Sequence, residues 1–292
     1  MTPDPRLHAF RDDLADAQLR GRVEAARFVN GRAARIVAGR APVRKSPAPE
    51  AALLSFYHYG EPILVFDIAG GFAWCQSFID DYVGYVAAEQ IAMIEAPLEP
   101  THYVANLGAY IYEAPDLRSP VRDFLPRHSA VVAAETGLAM RGTEYARLDT
   151  DGFLPFACLL PQPPASPDIV AAAALYLGCP YLWGGKSFLG IDCSGLVQNA
   201  FRDLGILVLR DTDMQRETIG GRVSVRAERD LRPGDLLYMP GHVLIYAGDG
   251  AVIHADGASM MVRRDNLAAL MRERKLRLRD FIIRRQSPVS GA

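Results

Sequence analysis

Tyr181-Leu-Trp-Gly-Gly185, followed by Ile191-Asp192-Cys193-Ser194-Gly195-Leu-Val-Gln-Asn-Ala200-Phe201, decides how the carboxy-terminal part of this chain folds. A glycine-rich turn delivers Cys193 to the first turn of a predicted helix. Leu196, Val197, Ala200, Phe201 and Leu204 recur at helical spacing, and Gly205 supplies the stop. The start of a helix carries unsatisfied N–H groups and a partial positive charge, so a thiol there is expected to ionise more readily than free cysteine. Cys193 is the candidate nucleophile.

A nucleophile needs a base, and Pro233-Gly-Asp-Leu-Leu-Tyr-Met-Pro-Gly-His242-Val-Leu-Ile-Tyr-Ala-Gly-Asp-Gly-Ala-Val-Ile-His254 reads as strands joined by a hairpin. A three-residue loop at Gly248-Asp249-Gly250 pairs Ala247 with Ala251 and Leu244 with His254, which places His242 and His254 on one face. A two-residue loop shifts the register by one and separates them. In the first register His242 takes the proton of Cys193, and His254 bonds the other ring nitrogen and fixes the tautomer.

With these residues in view, the segment from Ser166 to about Arg284 resembles the NlpC/P60 family of cysteine peptidases, which have a papain-like core and cleave bacterial cell-wall peptides. Asp192-Cys193-Ser194-Gly195 is similar to the family's nucleophile motif, His242 to its base and His254 to its third polar member. Tyr181, twelve residues before the cysteine, matches a tyrosine whose hydroxyl lies at the active site. Thr212 stands where the family usually has serine. The resemblance makes Tyr181, Asp192, Ser194 and Thr212 candidate substrate contacts.

Upstream the pattern changes. Asp13 to Phe28 reads as a polar helical stretch interrupted by Gly21, so residues 1–40 are expected to form a helical segment that braces the next domain. From residue 41 to 96, short strands are separated by Gly60, Gly70-Gly71 and Asp80-Asp81, a small-barrel pattern. Tyr59-Gly60-Glu61-Pro62, Phe72-Ala-Trp74 and Asp81-Tyr82-Val-Gly-Tyr85 resemble a bacterial SH3 domain. Residues 97–160 repeat this more faintly, as a degenerate second barrel. The prolines of 161–167 form a linker, after which Ser166 and Pro167 open a helix over Asp168 to Leu177. The fold class is therefore α+β: a papain-like catalytic domain over 168–286, preceded by two small all-β SH3-like barrels and the amino-terminal helical segment.

Composition excludes several function classes. The formal net charge of −2 is spread over interspersed acidic and basic residues, with no basic patch interleaved with aromatics, which argues against nucleic acid. No apolar run approaches a membrane span and no leader pattern opens the sequence, so a cytoplasmic protein without membrane contact is expected. The four cysteines, Cys75, Cys158, Cys179 and Cys193, show no zinc spacing; neither a metal nor another cofactor is expected, and the first three read as small core residues.

Within the resemblance, SH3-like domains ahead of this catalytic domain imply a γ-D-glutamyl-L-diamino acid dipeptidyl peptidase. The implied substrate is a murein tripeptide or related wall peptide with a free N-terminal L-alanine, and the implied product is L-Ala-γ-D-Glu. A buried ammonium requires acceptors; Asp192 is the first candidate, with Glu61 and Tyr82 from the first barrel, while a structural hydrogen bond orienting the turn is the other reading of Asp192. Two further functions fit the same pattern: a wall-binding endopeptidase acting on intact peptidoglycan, and an acyltransferase or inactive binding protein on the papain-like core.

Overall fold

The computed structural model describes residues 3–96 and 99–286. Met1 and Thr2, at the start of the expected helical segment, lie outside the described residues, as do residues 97 and 98 at the expected boundary between the barrels. The chain divides into two compact units, residues 1–164 and 165–292, at a point inside the proline-rich stretch 161–167. Mixed helix and sheet is the fold class, with strands outweighing a few short helices.

In the amino-terminal unit, a seven-stranded sheet runs in the order Leu53–His58, Arg40–Arg44, Val83–Ala87, Phe72–Ser77, Pro62–Ala69, Arg32–Ile36, Ile91–Met93. It closes over a core that includes Ile36, Val43, Tyr57, Ile63, Val65, Cys75 and Val86. Residues 102–160 build further sheets around a second core containing Val104, Ile111, Leu125, Val131, Leu148 and Leu154. The two parts of this unit are tied by Arg35 to Asp149 at 2.6 Å and by the Gly39 N–H to Asp123 Oδ2 at 2.6 Å.

The amino-terminal stretch corrects the helical reading. Residues 13–28 hold a 3₁₀ turn, Ala17–Leu19, an isolated bridge between Arg20 and Val23, and short strands Ala15–Asp16 and Phe28–Val29 paired in parallel. The Asp16 carboxylate accepts from the Gln18 N–H, which starts the turn, and Gly21 at a φ of 80° breaks any continuation. Ala9 and Leu14 instead pack against Phe66, Trp74 and Val83, with the Arg11 guanidinium 4.4 Å above the Trp74 ring. Burial against the barrel outweighs the weak helical preference of the segment.

In the carboxy-terminal unit, an antiparallel six-stranded sheet runs in the order Gly221–Val223, Ile282–Arg285, Leu236–Met239, His242–Gly248, Ala251–Asp256, Met261–Asn266. Leu244, Val252, Leu267, Leu270 and Ile283 belong to one core. The helix Cys193–Arg202 contacts the strands His242–Gly248 and Ala251–Asp256, and every residue from Cys193 to Phe201 is buried. The helix expected over Asp168 to Leu177 is shorter, Ile169–Ala174. Asp168 is its cap, accepting from the Ala171 N–H at 2.8 Å, because Ser166 is diverted to Asp203, to which it donates at 2.5 Å.

Candidate active site

Cys193 is the first residue of its helix, and Asp192 is the cap. Asp192 Oδ1 accepts from the Gly195 N–H at 2.7 Å, the Ser194 hydroxyl at 3.2 Å and Arg210 Nη1 at 3.0 Å. Its Oδ2 accepts from the Gly184 N–H at 2.8 Å and Arg210 Nη2 at 2.6 Å. Five donors exhaust a carboxylate's acceptor capacity of about four lone-pair sites. Asp192 therefore clasps the glycine turn to the nucleophile helix, the structural hydrogen-bonding role weighed for it beside ammonium binding. Ser194 belongs to the same clasp: it donates to Asp192 and accepts from Arg210 Nη1 at 2.6 Å, so its hydroxyl is largely spent inside the protein. Gly195 is required by close approach, since a Cβ there would lie 2.2 Å from the Gly185 carbonyl oxygen.

The hairpin realises the histidine face by an unexpected route. Gly248 pairs with Ala251, leaving Asp249-Gly250 as a two-residue turn with both φ values positive, 49° and 72°. A bulge between Tyr246 and Gly248 then takes up one residue, and Ile245 pairs with Ile253. That is the register a three-residue loop predicts, so the histidines share a face. His242 Nε2 lies 2.9 Å from His254 Nδ1, with the rings edge to face at 71°. His254 Nε2 lies 3.0 Å from Asp265 Oδ2. Asp265 sits on the neighbouring strand, where Val252 pairs with Asp265 and His254 with Arg263.

Cys193 Sγ meets the backbone on both sides of His242. It lies 4.0 Å from the Gly241 carbonyl oxygen and receives the Val243 N–H. Burial, reinforced by the negative charge of Asp192, pushes the thiol up to about 12. Burial and the neighbouring His254 push His242 down to about 3 from its ordinary 6.5. Both shifts disfavour the charged forms, against the expectation of a readily ionised thiol, because at this depth desolvation outweighs the helix end.

A cavity of about 610 Å³ opens beside His242, with Tyr181, His242, Asp256, Arg263, Asp265 and Arg274 in its lining. Tyr181 is brought to the site by its bridge to Ile191, and its hydroxyl is raised to about 12, by burial first and then by Cys193 and Asp192. Thr212 opens the helix Thr212–Thr218, which docks on the nucleophile helix through Gln215 Nε2 donating to the Ser194 carbonyl at 3.0 Å. Glu61 and Tyr82 belong to the other unit. There Glu61 Oε2 accepts from the His58 N–H at 3.0 Å and Oε1 from Ser77 at 2.5 Å, and the Tyr82 carbonyl accepts from Tyr57 at 2.5 Å. Sequence reasoning missed Arg210, whose side chain is 1% exposed, and Asp265. Nothing local marks Arg210 among the chain's basic residues; the alternation of Arg263 and Asp265 along one strand face was the available signal for the latter.

Residues 178–279 match the NlpC/P60 family, and residues 43–91 match the bacterial dipeptidyl-peptidase Sh3 domain. The chain carries an NlpC/P60 domain. Its Cys193, His242 and His254 all fall inside that match. Among curated relatives, dipeptidyl-peptidase 6 of Lysinibacillus sphaericus is 41% identical over 88 residues, which cover 30% of this chain and 31% of that protein. The gamma-D-glutamyl-L-lysine dipeptidyl-peptidase of Bacillus cereus is 33% identical over 108 residues, covering 34% and 31%. The chain thus spans about a third of the length of these relatives. An NlpC/P60 family protein from Bacillus cereus matches with a TM-score of 0.71 and 19% identity, over 88% of this chain and 100% of that one, and so shares the fold.

Proposed function

We propose that this protein is a cysteine peptidase that hydrolyses the γ-D-Glu–diamino acid bond of free murein peptides and releases L-Ala-γ-D-Glu. The observation that carries the reading is the placement of Cys193 at a helix start, against the backbone flanking His242, with His242 bonded onward to His254. His254 occupies Nε2 of His242, so Nδ1 is the nitrogen that takes the thiol proton as sulfur attacks the γ-carbonyl carbon. The developing oxyanion forms at the positive end of the nucleophile helix. Collapse of the tetrahedral adduct breaks the C–N bond, and His242 returns the proton to the leaving amine. Water, deprotonated by His242, then hydrolyses the thioester and regenerates the thiol.

The relatives named dipeptidyl-peptidase support the choice of bond, and the SH3-type match supports a peptide presented by its amino end. The cavity beside His242 carries Asp256, Arg263, Glu273 and Arg274, charges of both signs that suit an amino acid with an ammonium and carboxylates beyond the scissile bond. The free amine of L-alanine requires acceptors, for which Asp192, Glu61 and Tyr82 are the candidates. The same reading puts the enzyme in the cytoplasm, acting on imported fragments, a point for cell fractionation.

Mixing the protein with L-Ala-γ-D-Glu-meso-diaminopimelate should yield L-Ala-γ-D-Glu and free diaminopimelate by mass spectrometry. Acetylating the alanine amine removes the charge a buried site must pair, so cleavage should nearly stop, and intact sacculi should not clear. Equal kcat/KM for free and acetylated peptide would remove the free-peptide reading and leave a general wall hydrolase. No cleavage of either would remove the peptidase reading.

A further inference from the structure

We propose that Asp265 is a positioning residue for this reaction: it anchors a chain of hydrogen bonds that leaves the bare Nδ1 of His242 for Cys193. The proposal rests on the peptidase reading above. Its basis is two consecutive contacts, Asp265 Oδ2 to His254 Nε2 at 3.0 Å and His254 Nδ1 to His242 Nε2 at 2.9 Å. Each neutral imidazole has one N–H and one bare nitrogen, and an ionised carboxylate can only accept. Asp265 therefore requires the proton of His254 to sit on Nε2. Nδ1 of His254 is then bare and accepts from His242 Nε2–H, which leaves His242 Nδ1 bare.

The opposite arrangement is equally well bonded between the two rings alone. His254 Nδ1–H would donate to a bare His242 Nε2, and the proton of His242 would sit on Nδ1, where it blocks uptake of the thiol proton. The ring pair cannot choose between these states; the carboxylate at its far end does. Asp265 is itself held, since Arg263 Nε donates to its Oδ1 at 2.8 Å, which keeps Oδ2 for His254. His254 is 1% exposed, so water does not substitute readily for Asp265. The charged groups facing the rings are Asp256, Asp265, Arg263 and Arg274; the two carboxylates favour a proton on His254, whereas burial and Arg274 oppose it.

Asp265→Asn keeps the shape but can donate as well as accept, so it frees the choice. In the full chain, kcat should fall on the order of 10²–10⁴-fold, and the pH profile of kcat should change with it. Nitrogen-15 NMR of histidine-labelled protein should show His242 and His254 each protonated at Nε2 in the parent and a mixed or reversed pattern in the variant. Parent-like kcat in Asp265→Asn, or a loss of kcat with unchanged tautomers, would overturn the proposal. If the variant does not fold, the parent's tautomers decide, and a proton on His242 Nδ1 overturns it. The NMR measurement needs no turnover. Failure of the peptidase reading, seen as no cleavage by the parent or as full activity in Cys193→Ala, is thereby distinguishable from failure of the Asp265 assignment.

Discussion

Cys193 and His242 resist charge for the same reason, because both are taken out of water before a substrate arrives. With the thiol raised to about 12 and the imidazole lowered to about 3, the proton is expected to move during attack rather than in advance. The acid limb of kcat/KM should accordingly lie well below the ordinary histidine value of 6.5, because His242 stays neutral until the pH approaches 3. A limb centred at the ordinary value in steady-state assays would contradict this environment. Stability carries the same sign. The unfolded chain binds a proton at His242 that the folded chain refuses, so stability is fullest above pH 6.5 and declines as the pH falls toward 3. His242→Gln should flatten that decline in thermal melts taken from about pH 7 to about pH 4. In activity assays, Cys193→Ala should abolish turnover. His242→Ala should cost more than His254→Gln, with general acid–base losses of ~10²–10⁴-fold.

At the scale of elements, a clasp and a bulge set the site. Arg210 and Asp192 form a buried pair at 2.6 Å that joins the segment before the Thr212 helix to the cap of the nucleophile helix. Arg210→Ala leaves Asp192 buried and uncompensated, so chemical denaturation should report a loss of about 3–5 kcal/mol. A loss below about 1 kcal/mol, the range of a surface pair, would show that the clasp is dispensable. The bulge makes a second expectation. Tyr246 pairs with Val252 and Gly248 with Ala251, so deleting Ala247 leaves a regular ladder with the same partners. His242 and His254 should stay on one face, with activity retained to within about tenfold, a barrier change of about 1.4 kcal/mol. Complete inactivation of a folded deletion variant would refute the register argument.

Over the whole molecule, the division at residues 164 and 165 separates two bodies with their own cores. Residues 165–292 expressed alone should fold, since the nucleophile, both histidines, Asp265 and Arg210 all lie within that unit. If the SH3-type unit reads the amine, the isolated carboxy-terminal unit should still open a γ-glutamyl amide but lose discrimination between free and acetylated peptide. Retained discrimination, measured as the ratio of kcat/KM for the two peptides, would locate amine recognition inside the catalytic unit.

Local signals were enough for the nucleophile helix, the turn before it, the histidine strands and the first-barrel strands flanking Gly60 and Gly70-Gly71, because each is written in periodicity and in glycine placement within a few residues. What the sequence by itself determined was the type of element and the residue carried at its end. Tertiary structure alone decided the rest. Residues 13–28 gave up a helical pattern because Leu14 and its neighbours bury more surface against the barrel. Asp192 became a clasp because Arg210, eighteen residues away, folds back onto it. Asp265 joined the histidines through cross-strand register. The thiol lost its expected acidity because its charge depends on how much water the surrounding chain excludes, a quantity no local motif encodes.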